Sequence, residues 1–502
     1  MSGKPTKPSL AIRETKLRLR HCLIAWVVVG FGFVLPMSGK IQDPDIWWHL
    51  KTGELIWGSR SVPTADPFSF TAHGQPWTAH EWLSDVIFYG VFAHFGFIGL
   101  MLMESVLLCA LMGGLYLLVR RQMEYGPLAL MITALCGIAG WQLWSPRPQL
   151  FTYLLLIGLL FILRKPNARS LWLTVPMFWL WSNLHGAWIL GYGVMAITLI
   201  DAGIRSIRKG QAREAGQMAL VCVLSLLAVL AGPSPIERLV YPLSYFNGQI
   251  PAGFVIEFQS PDFWNIETFP FELLLMAIGA LLYLGRKPMR ASEWILLGLM
   301  VHFSLHSARH MPLLGIIAAP ILATQARSAM ERLGKQPQPD SGKNESLAIN
   351  FLVLLILPAL VWMKLPRVND EAHCVEAVFP REACQYLVEH PKLGQGRLLN
   401  NYNWGGYLIF HLYPKYLVSI DGRADVHHAH MSRDLKSLQT LTPDWDKELR
   451  RQNPDVVLWP RDKALAVVLR CDPHWRVLYE DKKAVVFARK PSFGRGLNPL
   501  PK

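Results

Sequence analysis

About eleven apolar stretches, each set off from the next by short polar or basic segments, constrain this chain more than any other feature. In hydrocarbon a helix satisfies its own backbone N–H and C=O groups, and about 20 apolar residues of it cross roughly 30 Å. The stretches are Cys22 to Met37, Phe97 to Val119, Leu128 to Trp144, Leu150 to Leu163, Leu171 to Ser182, Ala187 to Ile200, Met218 to Ala231, Phe271 to Leu284, Trp294 to His306, Leu313 to Thr324 and Ile349 to Met363. Trp82 to Phe95 adds an amphipathic or re-entrant helix. Hydrophobic residues make up 52% of the 502 and charged residues 17%, against roughly 25% charged in soluble proteins. The expected fold is a polytopic α-helical membrane protein of about eleven spans, within a range of about 10 to 13.

The net charge of +14 raises nucleic acid as a partner, but the basic residues form no single stripe, and that partner is excluded. They cluster at Arg120-Arg121, Arg164 to Arg169, Arg205 to Arg213, Arg286 to Arg290 and Arg327 to Lys335, alternating with poorly basic connections. Basic loops stay in the cytoplasm, so alternation sets the sidedness. The basic amino terminus is then cytoplasmic and its first span uncleaved, because Ala-x-Ala spacing is missing. Residues 38–81 become a long first outer loop, rich in turn formers: Pro63, Asp66-Pro67, Gly74 and Pro76.

A multi-span unit, residues 1–365, is followed by a unit of soluble composition, 366–502, placed outside by the same count. Short strands at Arg397 to Asn400, Leu417 to Ile420, Val456 to Trp459, Trp475 to Tyr479 and Ala484 to Ala488 alternate with helices at Gly406 to Leu412 and Asp444 to Gln452. That alternation predicts a small extracytoplasmic α/β layer. Seven cysteines show no metal or redox spacing, though Cys374 and Cys384 could bridge in an oxidising compartment.

Sidedness also selects the groups that share the outer face: Asp43, Asp45 and His49 after the first span, His80 and Glu81, Arg147, His185, Glu257, and Arg309 with His310. Ionisable groups at span ends are costly unless they have work to do. Asp43 and Asp45 lie close enough to share Mg²⁺ or Mn²⁺, or to divide into a base and an electrostatic partner; Asp43-Pro44 could equally open a helix. Arg147 and Arg309 suit phosphate, since a guanidinium is always charged and forks onto two oxygens. His49, His80, Glu81, His185, Glu257 and His310 are the remaining substrate- or phosphate-binding candidates. Gly405-Gly406 before an apolar run could cradle an anion or simply start a helix.

Asp43 and Asp45, then Gly53-Glu54, Pro63, Asp66-Pro67 and Pro76-Trp77 to His80-Glu81, resemble the first outer loop of GT-C polytopic glycosyltransferases. Asn403-Trp404-Gly405-Gly406-Tyr407 is more distantly similar to the Trp-Trp-Asp-Tyr-Gly motif of oligosaccharyltransferases, with Gly405 where the central Asp stands. The resemblance implies inverting transfer of a hexose or pentose from a polyprenyl-phosphate lipid to an acceptor, at the periplasmic face of a bacterial inner membrane. The first-loop Asp would be base or metal ligand. Two other readings fit the same groups: a transporter or flippase of an anionic or lipid-linked substrate, and a non-catalytic envelope assembly protein.

Overall fold

The computed structural model describes residues 41, 43–123, 125–164, 168–244, 255–334, 371, 375, 378–390, 396–430 and 436–490. The spans expected at Cys22 to Met37 and Ile349 to Met363, and Cys374, lie outside the described residues. Cys384 is buried with a free thiol.

The helices run α1 (Ile46–Ser59), α2 (Trp82–Arg120), α3 (Gly126–Ile138), α4 (Gln149–Arg164), α5 (Thr174–Leu184), α6 (Trp188–Arg208), α7 (Ala212–Ala228), α8 (Pro235–Ser244), α9 (Phe269–Gly285), α10 (Ala291–His306) and α11 (Met311–Arg332). Among the described residues four helical segments, Trp82–Arg120, Trp188–Arg208, Ile266–Gly285 and Ala308–Arg332, are long and apolar enough to cross a membrane. Two shorter apolar helices, α3 and α4, pack with them. Helix α2, with 39 residues, would be about 58 Å long if straight, more than one bilayer crossing needs. It breaks at Gly96, whose φ of 61° lies where a side chain is strained, so the leg from Phe97 onward carries the expected span.

Direction follows charge. Helices α2, α4, α6 and α11 begin beside one polar cavity and end at Arg120, Arg164, Arg208 and Arg332. Helices α5 and α10 run the other way, from basic connections to His185 and His306 at the cavity.

The first loop is more ordered than turn chemistry predicts. Asp43-Pro44-Asp45 opens helix α1, but not by capping: the Asp45 N–H donates to Asp43 Oδ1 at 2.9 Å, and Asp45 makes no side-chain cap bond. Arg60, at φ 56°, closes the helix through its N–H to the Ile56 carbonyl. Trp47 is fully buried against Phe97, Phe379, Tyr407 and Phe410.

The carboxyl-terminal unit holds α12 (Arg381–Glu389), β1 (Gly396–Asn400), α13 (Gly405–Leu412), β2 (Tyr416–Val418), α14 (Ala424–His430), α15 (Lys436–Thr440), α16 (Trp445–Gln452), β3 (Val456–Pro460), α17 (Ala464–Cys471), β4 (Trp475–Glu480) and β5 (Ala484–Arg489). The strands form one sheet in the order β2-β1-β3-β5-β4, with β2, β1 and β3 parallel and β5 and β4 antiparallel. Buried runs such as Val456–Trp459 suit a parallel sheet covered on both faces.

This unit does not stand apart from the loop. Phe68 to Phe70 pairs with Val418 as an extra edge segment, its backbone bonds 2.9 and 3.1 Å long. One apolar cluster unites Ile46, Trp47 and Leu50 of α1 with Phe88 of α2 and with Tyr407, Val418 and Leu458. This core joins residues from both sides of the boundary expected near residue 366. Gly406 serves the same junction: an added Cβ would strike the Pro44 carbonyl oxygen and lie 3.4 Å from Trp48 Cδ1. Gly405-Gly406 is thus a point of close approach, not an anion cradle. Gly406→Ala should destabilise the protein by about 1–3 kcal/mol through overpacking, read as a lower melting temperature in detergent; an unchanged value would show that α1 and α13 can separate freely.

Candidate active site

A cavity of about 950 Å³ lies where the helix ends meet the sheet unit. Its walls include Asp45, His49, His80, Glu81, Arg147, His185, Glu257, Arg309 and His310, every candidate from the sequence except Asp43. The positions come from α1, the loop before α2, the turn before α4, the end of α5, the segment before α9, and the α10–α11 connection. Asp43 sits behind Asp45, buried, and reaches the site through Arg147.

Arg147 is held between Pro146 and Pro148 and is claimed by three carboxylates. Its Nε bonds to Asp43 Oδ2, its Nη1 lies 2.9 Å from Glu257 Oε2, and its Nη2 lies 3.3 Å from Asp45 Oδ2. The carboxylates hold the guanidinium charged against burial. Burial pushes the Asp45 carboxyl up to about 7 despite Arg147, and Trp48 Nε1 donates to Asp45 Oδ1 at 3.3 Å.

These contacts bear on two expectations. Arg147 does not offer its fork to phosphate, because carboxylates already take it. Mg²⁺ or Mn²⁺ at Asp43 and Asp45 does not fit the residues as arranged: the guanidinium fills the place between the carboxylates. Among the described residues no group of three or more His, Cys, Asp or Glu side chains is placed to hold a metal ion.

A second cluster surrounds Glu81. Its Oε1 lies 3.4 Å from His185 Nε2 and 3.7 Å from His80 Nε2, and its Oε2 lies 3.8 Å from His49 Nε2. Burial lowers all three imidazoles, His80 to about 4 and the others well below their ordinary value, so they are neutral. Burial pushes the Glu81 carboxyl up to about 8. Phosphate binding by Glu81 would need the acid form, since the carboxylate would repel the anion. His49 Nδ1 is 2.6 Å from Asp85 Oδ1.

Arg309 also lines the cavity, its guanidinium 4.4 Å from the centre of the Phe258 ring. His302, His306 and His310 line the cavity beside it. The sequence reading missed His302, His306, Asp85, Tyr402 and Asp425, all of which border the cavity. The four-residue spacing from His302 to His306 was a usable signal, because it stacks the two rings along one face of α10. Asp85 was visible only as a carboxylate one turn after Glu81. Tyr402 and Asp425 gave no local sign, since the sheet unit delivers them.

The fold of the described helices and sheet is shared with solved structures of ArnT. It matches ArnT from Cupriavidus metallidurans bound to undecaprenyl phosphate, with a TM-score of 0.50 and 14% identity over 96% of this chain and 100% of that one. The apo state of the same protein matches at 0.51 and 12% identity, over 95% and 99%. No protein-family model and no curated protein sequence matches the chain.

Proposed function

We propose that the protein transfers a sugar from a polyprenyl-phosphate lipid to an acceptor, with inversion, at the outer end of its spans. The observation that carries this reading is the cavity itself, which gathers carboxyls, neutral imidazoles and Arg309 between apolar helix ends and a polar α/β unit. A lipid tail finds apolar surface on the helices. The departing phosphate finds Arg309, a fixed cation that needs no reorganisation as charge develops. Undecaprenyl phosphate, the lipid bound in the ArnT structure, is the first carrier to try. The basic clusters support an amino terminus in the cytoplasm of a bacterial inner membrane and a periplasmic carboxyl-terminal unit. Counting the spans expected from the sequence at Cys22 to Met37 and Ile349 to Met363, they also favour about eleven crossings. Asp43 and Asp45 act on this reading through Arg147, whose position they set.

The test is release of lipid phosphate by the purified protein in vesicles, from a panel of undecaprenyl-phosphate hexoses and pentoses, with membrane extract supplying acceptors. At least one donor should be consumed. Arg309→Ala should slow release by roughly 100-fold, and Arg309→Lys by less, because an ammonium keeps charge but not the fork. Movement of labelled sugar lipid across the vesicle without release would favour a flippase instead. Neither activity would favour an assembly role.

A further inference from the structure

We infer that Glu81 is the catalytic base: it takes the proton of the acceptor hydroxyl as that oxygen attacks the anomeric carbon. This rests on the transferase reading of the cavity and refines it. The first-loop aspartates are the obvious alternatives, but both share the Arg147 guanidinium with Glu257. A carboxylate engaged with a buried guanidinium is held away from other partners, and Asp43 does not border the cavity. Glu81 borders the same cavity, and three imidazoles that stay neutral lie within 3.8 Å of it.

The hydrogen-bond directions around Glu81 suit a group that gains and loses a proton. The Ala187 N–H donates to His185 Nδ1 at 3.3 Å, and Thr152 Oγ1 lies 2.8 Å from the same nitrogen while receiving the Trp181 Nε1–H. His185 Nδ1 is therefore the acceptor, which puts the ring proton on Nε2, facing Glu81 Oε1. His80 is the reverse. Its Nδ1 lies 3.2 Å from the Thr78 carbonyl, which can only accept, so Nε2 presents a lone pair to the same carboxyl. Stacking on Tyr241, with ring centres 3.9 Å apart, fixes that ring. The carboxylate form of Glu81 thus has a donor in His185, and its acid form has an acceptor in His80. Distances of 3.4 to 3.8 Å are open ones, of the kind that tighten when substrate fills the site.

The step balances without a further reactant. The acceptor oxygen bonds to the anomeric carbon, the bond from that carbon to the phosphate oxygen breaks, and the electron pair leaves with the lipid phosphate. The hydroxyl proton goes to Glu81. Other charged groups that act on Glu81 are Asp425 and Asp45, which disfavour its ionised form, and Arg309 and Arg147, which favour it; Asp85 sits one turn along α2 behind His49. Burial outweighs the cations and leaves the carboxyl near 8. The base works ionised, so transfer should rise with pH and level off above about 8.

The experiment compares the unchanged protein with Glu81→Gln and Glu81→Asp in the vesicle assay across pH 5 to 10, at about those limits. Glu81→Gln keeps shape and should lose about 100-fold or more of the transfer rate, with the pH-dependent rise gone. Glu81→Asp should recover part of the rate and keep a rise. Melting temperature and binding of undecaprenyl phosphate to each variant show whether the site still forms. If Glu81→Gln does not fold, the profile of the unchanged protein and the rate of Glu81→Asp decide. Transfer by Glu81→Gln within a few-fold of the unchanged protein, or a flat profile in an active enzyme, would overturn the assignment while leaving the transferase reading intact. Absence of transfer from every donor by the unchanged protein would overturn both.

Discussion

Arg147→Met should lose about 3–5 kcal/mol of stability, because it leaves Asp43, Asp45 and Glu257 facing one another without their cation. Methionine fills similar volume, so the loss reports charge rather than packing. The deficit should also depend on pH in a definite direction. Burial already pushes Asp45 up to about 7, and Arg147 opposes that push. Without Arg147 the folded-state value rises further above the unfolded value of about 3.9. The folded state then binds a proton the unfolded state does not, so stability falls as pH rises through that window. Melting in detergent should therefore show the largest gap from the unchanged protein above about pH 7 and a smaller one near pH 5. Asp43→Asn with Asp45→Asn should narrow the gap in the Arg147→Met background, since it removes the repulsion. A deficit that is constant with pH would mean that the arginine matters for shape alone.

Arg423→Met should be comparably severe for a different part of the molecule. Arg423 is buried, with Nη1 at 2.8 Å from Asp66 Oδ1 and Nε and Nη2 at 2.8 and 2.7 Å from the two oxygens of Asp421. Its guanidinium also lies over the rings of Phe68 and Trp77, at 4.9 and 4.6 Å. Burial would raise Asp421, but Arg423 and His427 hold it far below the usual carboxylate range. Removing the arginine strands two buried carboxylates, at a cost of about 3–5 kcal/mol. The loss should be local: amide exchange should quicken at Phe68 to Thr71, where the loop pairs with β2, before the membrane helices respond. Unaltered protection there would refute the role of Arg423 as the fastener of loop to sheet.

How much of this was readable in the sequence depended on how local the cause was. The five strands fall within a residue or two of their expected places, because runs such as Val456–Trp459 are long, apolar and bounded by turn formers. The shared cavity was readable from charge, since basic clusters fix which helix ends face the same way and so which polar groups can meet. Helix α1 was hidden among turn-forming residues because its stability comes from Trp47 and Leu50 packing on α2 and α13, elements far along the chain. The engagement of Arg147 was equally hidden. Nothing near Ser145-Pro146-Arg147-Pro148 announces that Asp43 and Glu257 will reach it, and a lone arginine at a span end reads as a phosphate ligand until its partners are seen.

The joint between the first loop and the sheet unit has a consequence for how the molecule is made. Thr71 Oγ1 donates to the Ser419 carbonyl across a separation of 348 residues. At synthesis rates of 5–20 residues per second, roughly 17 to 70 s pass between the two ends of that bond. For that interval Phe68 and Trp77 have no Arg423 to cover them, and Trp47 has no Tyr407. The cavity is therefore closed by segments that emerge long after the helices beneath them, and a ribosome that stops before residue 396 leaves a helical bundle whose floor is complete and whose roof does not exist.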